Sequence, residues 1–97
     1  MRHAGLADIE AAARVLRLVA PAARHQVIAQ LCDAADLADK YRKRLGRAHP
    51  VLGHGTLMSA AYCLPMASRP SATDPAYLAC LQVVTGHLER RAIHHRR

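Results

Sequence analysis

A chain of 97 residues has room for one small domain, near the size at which folding hides only about 60–70% of the surface that the unfolded chain exposes. Hydrophobic residues make up 52% of it, yet Phe and Trp are absent and much of the apolar share is alanine, so a second core is excluded and a thin aliphatic one is expected. The net charge is +7 with histidine neutral, which points either to a polyanionic partner or to charge that serves only solubility. A thin core also leads us to expect an oligomer, in which a neighbouring subunit adds buried area.

In chain order, the spacing of Leu6, Ile9, Ala13, Leu16 and Ala20 predicts a helix over 6–20. Asp8 and Glu10 lie near its start and Arg14 and Arg17 later, the order that the helix dipole favours. Pro21 ends it and suits the first turn of the next helix. That second helix is expected over 22–45, with an apolar stripe of Val27, Ile28, Leu31, Ala35, Ala38, Tyr41 and Leu45. Asp36 with Lys40 and Asp39 with Lys43 have the spacing of surface ion pairs, and Asp33 is set against Arg44 further along. Gly46 is the expected stop.

Residues 46–55 follow as an ordered loop. Pro50 holds His49 extended, Gly53 and Gly55 permit backbone that a side chain resists, and Val51 and Leu52 give the loop something to bury. Thr56 is a good cap for a short third helix over 56–64, with Leu57, Met58, Ala61 and Leu64 on its inner face. Pro65 closes that helix, and 66–73 reads as loop. Thr73 or Asp74 caps a fourth helix over 75–92, with Pro75 just inside it, carrying Leu78, Leu81, Val84 and Leu88 with Tyr77 and Val83 beside them. A basic tail occupies 94–97. The fold class expected is all-α: one four-helix domain spanning 1–97, built from an antiparallel helical hairpin, a short helix and a C-terminal helix.

Cys32, Cys63 and Cys80 form no C-x-x-C and are read as small apolar residues in a reducing cytoplasm. Asp8 and Glu10 interrupt any signal-peptide pattern, and no stretch approaches the roughly 18 apolar residues of a membrane span. A cytoplasmic protein without membrane association is expected.

For catalysis the chain offers little. It has no glycine-rich phosphate loop ending in Lys-Ser or Lys-Thr, and its acids are scattered rather than paired away from water. His49, His54 and Cys63 could be drawn as a zinc site, but a fourth ligand is missing and the spacing matches no finger or ribbon. Cys63 as a nucleophile lacks an orienting third group. No enzyme, metal or cofactor is expected.

Binding to DNA asks for less, and the positive charge is clustered. Lys40, Arg42, Lys43, Arg44 and Arg47 form one block, with His49 just beyond it. Arg90, Arg91, Arg96 and Arg97 form another, beside His94 and His95. These residues are the candidate DNA contacts, helped by free backbone N–H groups at the start of the third helix around Thr56 and Leu57. Against this stands a plainer reading of the first block, a helix end that cations complete electrostatically. The break between the second and third helices is too long for a helix-turn-helix, whose turn takes about three or four residues. Contacts to phosphate rather than to base edges are therefore expected.

Four stretches carry a family resemblance. They are Ala38-Asp39-Lys40-Tyr41-Arg42-Lys43-Arg44, Gly46-Arg47-Ala48-His49-Pro50, Gly53-His54-Gly55-Thr56-Leu57-Met58-Ser59-Ala60-Ala61 and Asp74-Pro75-Ala76-Tyr77. In these the chain resembles a family of short proteins from Rhodobacter-like alphaproteobacteria. Through that family it is similar to the small terminase of gene transfer agents, phage-like particles that package random pieces of host DNA. The resemblance implies a non-enzymatic subunit that oligomerises, binds double-stranded DNA and hands it to the large terminase, which carries the ATPase and nuclease. Typical phage small terminases are longer, with a separate DNA-binding domain, so here one domain would do both jobs. A different reading of the same residues is a helical interaction module, an adaptor or regulator that holds a protein partner on the 49–61 surface.

Overall fold

The structure is a computed structural model that describes residues 1–94. Most of the expected basic tail, with Arg96 and Arg97, lies outside the described residues. Among those described there are four α-helices and no strand: α1 (Leu6–Leu16), α2 (Arg24–Leu45), α3 (Leu57–Ala61) and α4 (Pro75–His94), with a 3-10 turn at Pro21–Ala23 between the first two. The all-α, four-helix expectation holds, and several boundaries and faces move.

Helix α1 is the spindle of the domain. Asp8 fixes its start by accepting the Gly5 backbone N–H at 2.9 Å. Ala11, Ala12 and Ala13 are all buried, together with Val15 and Leu16. Consecutive helical residues point about 100° apart, so three buried neighbours mean that α1 is covered on more than one side. Both α4 and α3 pack against it, and α2 packs across α3 and α4. The stripe expected for α1 is therefore displaced: Ala13 and Leu16 are buried, but Leu6 and Ala20 are exposed.

Helix α1 also stops at Leu16 rather than near residue 20. The Arg24 guanidinium explains this. Its Nε donates to the carbonyls of Leu16 and Val19 at 3.0 and 3.2 Å, completing a helix end that the chain itself leaves open. Ala20 is extended ahead of Pro21, and the 3-10 turn delays the start of α2 to Arg24.

Helix α2 buries Ile28, Leu31, Cys32, Ala35, Ala38 and the carboxylate of Asp39. Gly46 ends it with φ of 70°, and its N–H reaches the Arg42 carbonyl at 2.8 Å. Leu45 is exposed rather than in the stripe. Helix α3 is capped by Thr56, whose hydroxyl oxygen accepts the Ser59 N–H at 3.0 Å. It ends at Ala61, leaving Tyr62 and Leu64 exposed where Leu64 was expected inside. In α4, Asp74 accepts the Ala76 N–H at 3.1 Å beside Pro75. The buried line there is Tyr77, Cys80 and Val84; Val84 keeps its expected place, Leu81 and Leu88 pack partly buried against the core, and Leu78 is exposed. Fully buried Leu16, Ile28 and Leu57 each contribute about 1.5–3 kcal/mol. Among the described residues no helix is long and apolar enough to cross a membrane.

Candidate functional site

The loop between α2 and α3 is ordered by its own chemistry. His49 and Gly53 exchange backbone hydrogen bonds at 2.9 and 3.1 Å. Inside that turn the His49 Nδ1 accepts the N–H groups of Val51 and Leu52 at 3.1 and 3.0 Å. The ring also meets Tyr41 edge to face, with centroids 4.8 Å apart. With Nδ1 turned inward to two backbone N–H groups, the His49 ring serves the turn and has only Nε2 to offer outward. Cys63 donates to the Val51 carbonyl at 3.2 Å, which ties the end of α3 to the same turn.

Two glycines let this loop lie flat. A Cβ on Gly55, at φ of +90°, would stand 2.7 Å from the Asp39 Cα and 2.9 Å from its nitrogen. The loop backbone therefore rests directly on α2 at Asp39, a residue that is itself buried. Arg42 and Lys43 reach Asp39 at 2.9 and 3.1 Å, and the Met1 α-amino group lies 3.8 Å away. The hydrogen bond from Arg42 holds the Asp39 carboxyl below its ordinary pKa; burial opposes the shift, and Lys43 reinforces it.

Next along α2, Asp36 and Asp33 do not pair with Lys40 and Arg44. Asp36 takes the Met1 amino group and Arg91, and Asp33 takes Arg91 at 3.2 Å. Burial alone would raise the Asp36 pKa, but the hydrogen bonds from Met1 and Arg91 outweigh it and leave it lowered. Arg91 is thus a clamp between α4 and α2. Its side chain is 18% exposed against 68% for Lys43.

The cations sort accordingly. Lys40, Arg44, Arg47 and Arg90 are exposed, with no ion pair among the described residues. Arg42 and Lys43 are engaged by Asp39 and Arg91 by Asp33 and Asp36, while His49 belongs to the turn. The first turn of α3 is partly occupied. The Met58 N–H goes to Asp8 Oδ1 at 2.9 Å and the Ser59 N–H to Thr56, so two of the N–H groups there serve the fold.

Two residues absent from the sequence-based candidates join this surface. Arg2 donates its backbone N–H to the Gly55 carbonyl at 2.9 Å, which lays residues 1–4 along the end of α2. Arg2 and His3 line a recess with Arg42 and Lys43 on one side, and another with Glu89 and Arg91 on the other. The arm thereby joins the two basic regions. The only signal for it in the sequence is a cation and a histidine directly ahead of the first helix.

Among the described residues no group of three or more His, Cys, Asp or Glu side chains is gathered as a metal site would require. The three thiols are unpaired, with Cys32 and Cys80 buried and Cys63 exposed. Burial pushes the Cys32 thiol up to about 11, so it stays protonated and unreactive at neutral pH.

Comparison with curated proteins finds no match. Comparison with solved structures finds none either. Arg2 and His3 of the arm, both sides of the Asp39 contact and most of α4 fall within residues 2–88, which match the model of a domain of unknown function, DUF7742, and the chain belongs to that family.

Proposed function

We propose that the protein is a DNA-packaging subunit of the small-terminase type, non-enzymatic and cytoplasmic, from a phage-like gene transfer agent. It holds double-stranded DNA weakly, with little sequence preference, and brings it to the large terminase, working as a homo-oligomer. The observation that carries this reading is the set of exposed cations at the end of α2, Lys40, Arg44 and Arg47, which have no ion pair among the described residues and lie beside Arg42 and Lys43. Such a surface neutralises phosphates and releases counterions, which gives affinity without reading bases. The family resemblance of the central motifs supplies the biological role.

The test is binding to random-sequence duplex across a range of salt. The expected result is a steep loss with salt, about 0.9 in logarithmic slope for each phosphate contacted. Replacing Lys40, Arg42, Lys43 and Arg44 together by glutamine should weaken all sequences alike. Absence of binding even at low ionic strength overturns the reading.

One observation favours the second reading, a helical adaptor using the 49–61 surface. Val51 is 71% exposed on it and Tyr62, directly after it, 60%, and the Cys63 bond to Val51 holds the chain that follows α3 against the turn. Deletion of the gene that leaves particle production unchanged would favour the adaptor.

A further inference from the structure

We propose that the recess between the N-terminal arm and the end of α2 is a phosphate-binding cleft, in which Arg2 and His3 are contacts alongside Arg42 and Lys43. The recess has a volume of about 570 Å³, with Asp39 and Thr56 on its wall. That is room for a phosphate group and its neighbours rather than for a single ion. Its charge is positive, because Arg2, Arg42 and Lys43 face one carboxylate. That carboxylate is buried and already accepts from Arg42 and Lys43. Asp39 therefore aligns two cations and leaves little negative field for an incoming anion to meet.

Arg42 adds a second observation. Its Nη2 is spent on Asp39, while its Nε is buried with no acceptor among the described residues. A guanidinium has donors in a rigid fork and accepts nothing. An oxygen brought from outside, met by a small rotation of the fork, is what would satisfy the remaining donor. Thr56 contributes shape rather than a donor, since its hydroxyl is bonded to Ser59 at 2.7 Å. The arm itself is pinned through the Arg2 backbone, so the Arg2 side chain is held at the cleft while remaining exposed.

The ligand chemistry is phosphate. Its source, on the reading proposed above, is the DNA backbone, and free polyphosphate is the other source that the same groups would take. The two are separated by titrating the isotopically labelled full chain with tripolyphosphate and, separately, with a random duplex, following backbone amide resonances. Arg2→Gln and the control Arg69→Gln are measured beside the unmodified chain. Arg2→Gln keeps the backbone bond to Gly55, and unchanged melting will verify that it folds.

The expected result is that both ligands shift Arg2, His3, Arg42 and Lys43. Arg2→Gln then lowers the salt slope of duplex binding by about 1, the value for one lost phosphate contact, and Arg69→Gln leaves it unchanged. If duplex binds but shifts only Arg44, Arg47 and Arg90, and Arg2→Gln keeps the full slope, the cleft is overturned while the DNA reading stands. If tripolyphosphate binds in the cleft and duplex does not bind at all, the cleft stands and the DNA reading falls. If neither ligand binds, both are overturned.

Discussion

Gly46 and Gly55 are both left-handed, at φ of 70° and 90°, but their surroundings differ. A Cβ on Gly46 meets nothing within 4 Å, whereas one on Gly55 collides with the backbone of Asp39. Gly46→Ala should therefore cost only the conformational term, about 1–2 kcal/mol. Gly55→Ala adds an overpacking term of roughly 1–3 kcal/mol, because a helix backbone cannot move aside as a side-chain tip can. Urea unfolding of the two variants measures the difference, and equal losses would contradict the described contact between loop and helix. The same pair marks a limit of sequence reading. Both glycines were legible as backbone positions, and Gly46 was legible as a helix stop. What Gly55 leans on was not, since nothing local in Gly-His-Gly names a residue on another helix.

Between elements, the clamp from α4 to α2 is the point at which charge and fold must be separated. Arg90 and Arg91 are neighbours in sequence and opposite in situation: Arg90 is exposed, while Arg91 joins Asp33 and Asp36. Arg91→Gln should lower stability by about 1.5–3 kcal/mol, the usual worth of hydrogen bonds to charged groups. Arg90→Gln should leave stability within about 0.5 kcal/mol, as surface changes do. Thermal melts of the two variants check this, and a loss at Arg90 equal to that at Arg91 would refute the division. Helix count, the Thr56 cap, the Gly46 stop and the α4 cap to within one residue were all readable, because each rests on residues within one turn. Of the cations spent internally, Lys43 was readable, since the i,i+4 rule pairs it with Asp39 as found at 3.1 Å, and Arg42 and Arg91 were not. The i,i+4 rule pairs Asp36 with Lys40, and the tertiary structure offers Asp36 a partner 55 residues away instead. The arm was missed for the same reason, since its docking rests on a backbone bond from Arg2 to Gly55.

For the molecule as a whole, the titrating groups define a pH window. Asp36 and Asp39 have lowered pKa values in the folded state. Their contribution is therefore complete above the unfolded value of about 3.9 and is lost as pH falls through the lower folded values. His87 adds a second, higher edge. Burial lowers its pKa, with Arg91 and Arg90 adding to the effect and Asp33 opposing it. Its Nε2 is buried without a partner among the described residues. Stability from this histidine is complete above about 6.5 and declines below, as the unfolded chain takes up a proton that the folded one resists. Denaturation midpoints between pH 3 and 8 should fall in two stages. His87→Leu should remove the upper stage, and an unaltered profile in that variant would rule out the assignment. The alanine spindle of α1 bears on the thin core expected from composition. Alanine has no rotamers to freeze, so burying Ala11, Ala12 and Ala13 forfeits no side-chain conformational entropy, where a long side chain would forfeit up to about 2 kcal/mol. A core that gathers little apolar area per residue can still hold, because so little motion has to be given up to form it.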